Sequence, residues 1–276
     1  MIHINHLKKS YDSFTLDCSL DIPKGVITGI IGMNGAGKTT LFKSILGINP
    51  IDEGNIQIPS KQDIGVVLSE TGFSEFFTVS DIINILKCTY ERFDEDLFRS
   101  YCQRFDISLD KKTRTFSTGM KAKLNIIIAL THHAKLLILD EPTAGLDPNE
   151  RIRFRNLISE LAEERLVLLS THIVSDVEFI ANKIVLMKEG QCCFGGTSDE
   201  VIASMDKKVY CFVAPREQVD HYMRNYLVVN VKTFGSNAEL RILSDHEPVK
   251  GACVEEATLE DAFLNYFGER AGESHA

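Results

Sequence analysis

Long apolar runs are missing from this sequence of 276 residues. A membrane-spanning helix needs about 20 consecutive apolar residues, and the apolar stretches at 26–31 and 124–130 are far shorter. No apolar run follows the lysines near the start, so we expect no secretory signal peptide. If the protein works at a membrane, another chain must therefore hold it there.

Proline, paired cysteines and excess positive charge are also scarce. Only 7 prolines, with 44% hydrophobic and 25% charged residues, exclude collagen-like and disordered chains. Acidic residues outnumber basic ones by 39 to 30, which argues against a nucleic-acid partner because phosphate contacts need a basic surface. The 7 cysteines are scattered without a Cys-x-x-Cys pair, so we expect reduced thiols rather than disulfides or a zinc site.

Strand-like and helix-like segments alternate along most of the chain. Each of several short apolar strands is followed by a helical segment, which indicates a parallel sheet covered on both faces. The stretch from about 70 to 132 is mostly helical instead, and the pattern loosens again beyond residue 206. We therefore predict an α/β domain at 1–205 with a helical subdomain at about 70–132, and a small α+β accessory domain at 206–276.

The strongest chemical signal is a glycine-rich loop between the strand at 26–31 and a helix. The sequence at 32–39 fits the pattern G-x-x-x-x-G-K-S/T. Backbone N–H groups of such a loop, with the positive end of the following helix, bind phosphate oxygens. We expect Lys38 to reach the β- and γ-phosphates and the Thr39 hydroxyl to bind Mg²⁺. The predicted ATP-binding residues of this segment are Gly32, Met33, Asn34, Gly35, Ala36, Gly37, Lys38, Thr39 and Thr40.

Two adjacent acids end the apolar strand at 136–139. Asp140 and Glu141 are expected at the carboxyl edge of the sheet, where open parallel sheets place their ligands. We expect Asp140 to hold Mg²⁺ directly or through water, and Glu141 to orient the attacking water. Two acids alone are common at the end of a strand, but these follow a phosphate loop. The combination predicts an ATPase with ATP and Mg²⁺ as its cofactors.

The order of the motifs resembles that of ATP-binding cassette (ABC) ATPases. The segment 116–121 resembles the LSGGQ signature of that family, the segment 144–147 follows the acids, and Ser-Thr-His at 170–172 follows the next strand. The resemblance covers about residues 1–205. It implies a P-loop NTPase fold of the ABC type with a mixed sheet, and a head-to-tail dimer in which the signature of one cassette faces the phosphate loop of the other.

Several residue roles follow from this resemblance. The signature residues that face the second cassette are Ser117, Thr118, Gly119 and Met120. Asp147 contacts the second cassette, and His172 joins Glu141 as a catalytic residue by contacting the γ-phosphate. Tyr11 stands where the family stacks an aromatic ring on adenine, although a packed tyrosine at a sheet edge is the alternative.

Two departures from the family pattern affect the expected site. The signature differs from LSGGQ at three positions but retains Ser117 and Gly119. The glutamine that usually follows the strand at 64–68 is absent, and Ser69 and Glu70 stand there. Either residue offers an oxygen, so Ser69 or Glu70 is a candidate for a further ligand of Mg²⁺.

The resemblance extends to one branch of the family. The signature, the missing glutamine and the segment 257–266 look like the ATP-binding subunits of bacterial drug and peptide exporters of the bacitracin-resistance type. This implies a peripheral subunit on the cytoplasmic face of a bacterial cell membrane, bound to a separate permease. The transported compound and the choice between homodimer and heterodimer stay open.

Two other functions compete with this one. A soluble ABC ATPase of translation or DNA repair is the main alternative, but such chains carry two cassettes or a long coiled coil, and this sequence shows one cassette without sustained heptads. A catalytically inactive binding module is disfavoured because Lys38, Asp140, Glu141 and His172 are all present.

An aromatic cluster lies between the sheet and the helical segment. Residues 70–77 contain three phenylalanines and too few periodic positions for a core helix. The rings either pack the junction of the helical subdomain or are exposed and receive a cytoplasmic helix of the permease. The family resemblance favours the permease contact, which we expect at Phe76 and Phe77.

Overall fold

The computed structural model describes residues 2–68 and 73–268. The chain divides into two compact units, the first ending at Gly195 and the second beginning at Gly196. The sequence places this division at residue 205 instead. The segment just after Gly196 belongs to the second unit because its helix packs on the C-terminal helix, where the Ser204 and Tyr266 hydroxyls form a hydrogen bond of 2.9 Å.

A mixed sheet forms the first unit. Its strands in chain order are β1 (Ile2–Ser10), β2 (Thr15–Ile22), β3 (Ile27–Ile31), β4 (Glu53–Gln57), β5 (Ile64–Val67), β6 (Leu136–Asp140), β7 (Leu166–Thr171), β8 (Lys183–Lys188) and β9 (Gln191–Gly196). Their order across the sheet is β4-β1-β2-β9-β8-β3-β7-β6-β5. The pairs from β8 to β5 run parallel, whereas β1 pairs antiparallel with β2 and β4. Strands β3, β6 and β7 are buried throughout, as in a parallel sheet with both faces covered. The α/β fold class predicted from the sequence is confirmed.

Helices surround this sheet in the described part of the first unit. They are α1 (Lys38–Ile45), α2 (Val79–Thr89), α3 (Glu95–Arg104), α4 (Thr118–Leu130), α5 (Pro148–Ala162) and α6 (Val174–Glu178). Helices α2, α3 and α4 share a core of their own that includes Phe98. Thr78 and Asp81 form a capping box at the start of α2, as the Thr-x-x-Asp spacing in the sequence indicates. Asp94 caps α3 by accepting a hydrogen bond from the Leu97 N–H at 2.8 Å.

The second unit combines an antiparallel sheet with short helices. Its elements are α7 (Ser198–Ala203), β10 (Lys208–Pro215), α8 (Val219–Asn225), β11 (Leu227–Phe234), β12 (Asn237–Ser244), β13 (Cys253–Glu255) and α9 (Leu259–Phe267). The strand order is β11-β12-β10-β13. An ion pair of 2.7 Å between Arg241 and Asp261 joins β12 to α9. The sequence does not predict β13, because this strand has only three residues and all are exposed.

A disulfide corrects the expectation that the cysteines are reduced. Cys18 on β2 and Cys192 on β9 are bonded, with their Cα atoms 5.6 Å apart. The two strands are neighbours in the sheet, but 174 residues separate the cysteines along the chain. No local spacing pattern reveals such a pair, so the expectation is wrong for these two residues. The free cysteines are Cys88, Cys102, Cys193, Cys211 and Cys253.

The helices are short. The longest, α5, has 15 residues. Across residues 2–68 and 73–268, no helix has both the length and the apolar composition needed to cross a membrane.

Candidate active site

The glycine-rich loop runs from the end of β3 to the first turn of α1. Gly35 and Gly37 have φ angles of 84° and 105°, a left-handed conformation that residues with a Cβ atom rarely adopt. A Cβ atom on Gly32 would lie 2.3 Å from the Met187 carbonyl oxygen, so the loop packs too closely on β8 for a side chain. The loop therefore turns around the N-terminus of α1, whose unpaired N–H groups and positive dipole end attract an anion.

Lys38 lies inside this loop. Its side chain donates hydrogen bonds to the carbonyl oxygens of Gly32 at 2.7 Å and Met33 at 3.2 Å. The ammonium group also lies 3.7 Å from a Glu141 carboxylate oxygen. Burial lowers the pKa of Lys38 from its ordinary value, and the carboxylates of Glu141 and Asp140 partly offset this effect. The result is a buried cation whose charge a bound polyphosphate can balance.

Asp140 ends β6 beside the start of α1 and is only 1% exposed. One carboxylate oxygen accepts a hydrogen bond of 2.7 Å from the Thr39 hydroxyl. The other accepts a hydrogen bond from the Ser170 hydroxyl on β7. The predicted pair of metal ligands, Thr39 and Asp140, is therefore in direct contact, although 101 residues separate them along the chain.

Glu141 has an unusual backbone conformation. Its φ angle is 49°, which places a residue with a side chain in the left-handed region. Its N–H donates to the Ser170 carbonyl oxygen at 3.0 Å. Its carboxylate accepts a hydrogen bond of 2.9 Å from His172 Nδ1. The two predicted catalytic side chains thus touch each other at the carboxyl ends of β6 and β7.

The loops after β6 and β7 are also joined behind this contact. The Thr143 hydroxyl donates to the Asp176 carboxylate at 2.6 Å, and both side chains are buried. Thr143 lies two residues after Glu141, and Asp176 lies in the first turn of α6, close to His172. This hydrogen bond can hold the two loops in a constant relative position.

The predicted signature does not line the cavity at the phosphate loop of its own chain. Ser117 is the N-cap of α4, and its hydroxyl accepts a hydrogen bond of 3.2 Å from the Met120 N–H. Ser117 and Thr118 are exposed. A Cβ atom on Gly119 would lie 3.1 Å from the Gly145 carbonyl oxygen, so the signature packs on the loop that leads to α5. Asp147 caps that helix and accepts from the Glu150 N–H at 2.9 Å.

An aromatic ring, Phe14, lies beside the phosphate loop, and Tyr11 lies next to it. A cavity here is lined by Phe14, Glu141 and residues 34–40. Tyr11 is 45% exposed, and its ring centre lies 6.3 Å from that of Phe14. The Tyr11 hydroxyl accepts a hydrogen bond of 3.1 Å from the Asn49 side chain, just after α1. The sequence analysis names Tyr11 but misses Phe14, whose only signal is a second aromatic residue in the same turn.

Ser170 is the other site residue that the sequence analysis does not single out. Its hydroxyl contacts Asp140, and its backbone carbonyl contacts Glu141. The available signal is a hydroxyl-bearing residue at the end of an otherwise apolar strand. Ser69 and Glu70, the candidates for a further metal ligand, lie outside the described residues.

The aromatic cluster is divided between the surface and the helical core. Phe76 is 67% exposed, and the Arg114 guanidinium lies 5.8 Å from its ring centre. Phe73 and Phe77 are half-buried and pack against the core of α2, α3 and α4. Phe76 is therefore the most exposed ring of the three, and the permease contact expected at Phe76 and Phe77 stays a prediction.

Known proteins are similar to this chain in sequence and in fold. Residues 16–144 match the family described as ABC transporter. The lantibiotic transport ATP-binding protein SrtF of Streptococcus pyogenes is 33% identical over 69% of this chain and 88% of its own. The ABC transporter ATP-binding protein YhaQ of Bacillus subtilis (strain 168) is 30% identical over 90% of this chain and 81% of its own. A bacterial ABC transporter cassette solved as a dimer matches the fold with a TM-score of 0.64 at 20% identity, covering 71% of this chain and 98% of that one.

Proposed function

We propose that this chain, which belongs to the ABC transporter ATP-binding proteins and is an ATPase, energises export of a drug, peptide or similar compound through a separate membrane permease. One observation carries the catalytic part of the proposal. Lys38, Asp140, Glu141 and His172 come from three stretches of sequence and converge on one phosphate loop. The name of SrtF, a lantibiotic transport protein, supports a peptide-like cargo.

The phosphate loop is the proposed site for the triphosphate of ATP. Its backbone N–H groups and the N-terminus of α1 supply donors, and Lys38 supplies the positive charge for the β- and γ-phosphates. The carbonyl oxygens that now accept from Lys38 are weaker partners for an ammonium group than phosphate oxygens are. Phe14 lines the cavity at this loop, and Tyr11 lies next to Phe14, where a base can stack.

The residues around Asp140 fit Mg²⁺. A carboxylate and a hydroxyl in contact are hard oxygen donors of the kind that this ion prefers. Among the residues described, no cluster of three or more His, Cys, Asp or Glu could hold a metal. Mg²⁺ is typically held by one or two protein oxygens together with substrate phosphates and water. Thr39 and Asp140 would hold the ion, which neutralises phosphate charge when bound.

Glu141 is the proposed general base for the attacking water, and His172 its partner. The hydrogen bond from His172 Nδ1 orients the Glu141 carboxylate. When the ring carries both protons, its Nε2–H can also donate to the γ-phosphate. A glutamine at position 141 would keep the shape of the side chain but could not accept a proton.

The signature supports a head-to-tail dimer with a second cassette. Ser117 and Thr118 are exposed, and they do not line the cavity at the phosphate loop of their own chain. Anions bind well at a helix N-terminus with a free hydroxyl-bearing cap and small residues in its first turn. The start of α4 therefore suits the γ-phosphate of ATP bound to the other cassette, and the neighbouring loop with Asp147 suits the same interface.

A permease contact at Phe76 would place the subunit on the cytoplasmic face of the membrane. The exposed ring lies on a segment fastened to the residues just before the signature. The Arg114 N–H donates to the Glu75 carbonyl oxygen at 2.9 Å, and the Thr113 N–H donates to the Phe77 carbonyl oxygen at 2.9 Å. A permease helix docked here would contact the aromatic segment and, through these hydrogen bonds, could influence the position of the signature.

The Glu141→Gln variant tests the catalytic part of the proposal. We expect ATP turnover to fall by about a hundredfold or more, because a general base contributes on the order of 10²–10⁴ to the rate. ATP binding should be retained, and gel filtration with ATP should show a trapped dimer. Near wild-type hydrolysis would contradict the assignment of Glu141 as the base.

A further inference from the structure

Ser170 lies between the two acids of the site. It is fully buried at 0% exposure and is paired with Asp140 in the register of β6 and β7. Its hydroxyl donates a hydrogen bond to one Asp140 carboxylate oxygen. Its carbonyl oxygen accepts from the Glu141 N–H at 3.0 Å, and its hydroxyl oxygen lies 3.3 Å from the same nitrogen. One buried residue therefore contacts both acids.

The hydroxyl determines how Asp140 can turn. Each carboxylate oxygen of Asp140 accepts a hydrogen bond, one from Ser170 and the other from Thr39. A carboxylate rotates about its terminal bond unless both oxygens are engaged, because that torsion is broad. With the Ser170 hydroxyl present, the oxygen that faces Thr39 is fixed. Without it, Asp140 loses one of its buried hydrogen bonds, which costs free energy.

The same residue supports the strained conformation of Glu141. A left-handed φ angle of 49° is unfavourable for a residue with a side chain and persists only where surrounding contacts impose it. The Glu141 N–H points at Ser170, and the carboxylate then meets His172. The backbone hydrogen bond to Ser170 thus sets the position from which the Glu141 carboxylate contacts His172.

We propose that Ser170 is a positioning residue for ATP hydrolysis, whose hydroxyl aligns the Asp140 carboxylate toward Thr39 while its backbone carbonyl holds the Glu141 backbone. This inference rests on the roles proposed above for Asp140 and Glu141. It assigns Ser170 no contact with ATP, so its removal should affect turnover and metal binding while nucleotide binding without metal stays normal.

The main test compares Ser170→Ala with wild type in the full-length subunit. We expect kcat to fall by about tenfold to a hundredfold, the size associated with losing a hydrogen bond to a charged group. Mn²⁺ binding with a non-hydrolysable ATP analogue, followed by electron paramagnetic resonance, should weaken by at least about threefold. The affinity for the analogue in EDTA should stay within about twofold, because the phosphate loop is unchanged. A Ser170→Ala variant with wild-type kcat and Mn²⁺ affinity would overturn the inference.

Thr28 offers a matched control in the same sheet. It lies on β3 next to β7, is 0% exposed, and its buried hydroxyl has no hydrogen-bond partner. Thr28→Val should leave kcat and Mn²⁺ affinity unchanged, since the hydroxyl that it removes contacts neither acid. If Thr28→Val lost as much kcat as Ser170→Ala, the effect would belong to the packing of the sheet and the inference would fail.

Two further variants allow the role of Ser170 to be tested separately from folding and from the role of Glu141. If Ser170→Ala does not fold, Ser170→Cys takes its place in the test. Its side chain has a similar volume but is a weak hydrogen-bond donor, so we expect the same loss of kcat and of Mn²⁺ affinity. In the Glu141→Gln background, Ser170→Ala should reduce turnover no further yet still weaken Mn²⁺ binding. If Glu141→Gln is inactive and Ser170→Ala is fully active, only the role of Ser170 is refuted, and the proposed function stands. A fully active Glu141→Gln would refute the proposed function itself.

Discussion

At the scale of single residues, the site depends on charges that are kept out of water. Lys38 is only 6% exposed, and burial lowers the pKa of its ammonium group. The facing carboxylates of Glu141 and Asp140 compensate part of that cost. Polyphosphate oxygens at the same place would compensate it better, because charge-assisted hydrogen bonds in a desolvated site are strong. The unfavourable burial of the lysine thus favours binding of an anion.

Lys38→Ala should weaken ATP binding itself. We expect the dissociation constant measured by calorimetry to rise by about tenfold to a hundredfold, because a hydrogen bond to a charged group is worth about 1.5–3 kcal/mol. Lys43→Ala in the last turn of the same helix is the control and should bind ATP normally. Equal affinities for wild type and Lys38→Ala would mean that this loop does not hold the phosphates.

The hydrogen bond between Asn49 and the Tyr11 hydroxyl should matter for the base and not for the phosphates. We expect Asn49→Ala and Tyr11→Phe each to weaken ATP binding by about twofold to tenfold, with no further loss in the double variant. Tripolyphosphate has no base, so its affinity should not change in any of them. If the three variants lost tripolyphosphate affinity to the same extent, Tyr11 would not act on the base.

At the scale of helices and strands, local signals predict structure well and contacts between distant strands poorly. Thr78 with Asp81, and Asp94, are read directly from sequence as helix starts, because capping involves residues three apart. The contact of Ser170 with Asp140 depends on the register of β6 and β7. Nothing in either strand specifies that register, so sequence analysis finds the acids and misses the residue that aligns them. The disulfide between distant strands is missed for the same reason.

In the segment before α2, the exposed ring of Phe76 and the packed ring of Phe77 should respond differently to substitution. Phe76→Ser should leave the melting temperature and the ATPase activity of the isolated subunit nearly unchanged, because the ring is 67% exposed. The same variant should detach the subunit from membranes. Phe77→Ser is the contrasting variant, and we expect it to lower stability by about 2 kcal/mol because its ring packs on the helical core. Normal membrane attachment of Phe76→Ser would place the permease contact elsewhere.

At the scale of the whole molecule, the chain consists of a cassette and a smaller α+β unit, each with a core of its own. The cassette contains a phosphate loop, an acid pair and a signature, but the signature does not line its own phosphate-loop cavity. In the proposed head-to-tail dimer, a second cassette completes the site. The relative YhaQ is similar along 90% of this chain, so its likeness extends into the α+β unit.

The central claim is that this ATPase works on a membrane permease, and purification of the full-length chain from detergent-solubilised membranes tests it most directly. Mass spectrometry should identify one co-purifying chain with about six spans of ~20 apolar residues. Its recovery should be retained with Glu141→Gln and lost with Phe76→Ser. Recovery of the chain with ribosomal or DNA-repair proteins, and without any membrane-spanning partner, would contradict the account.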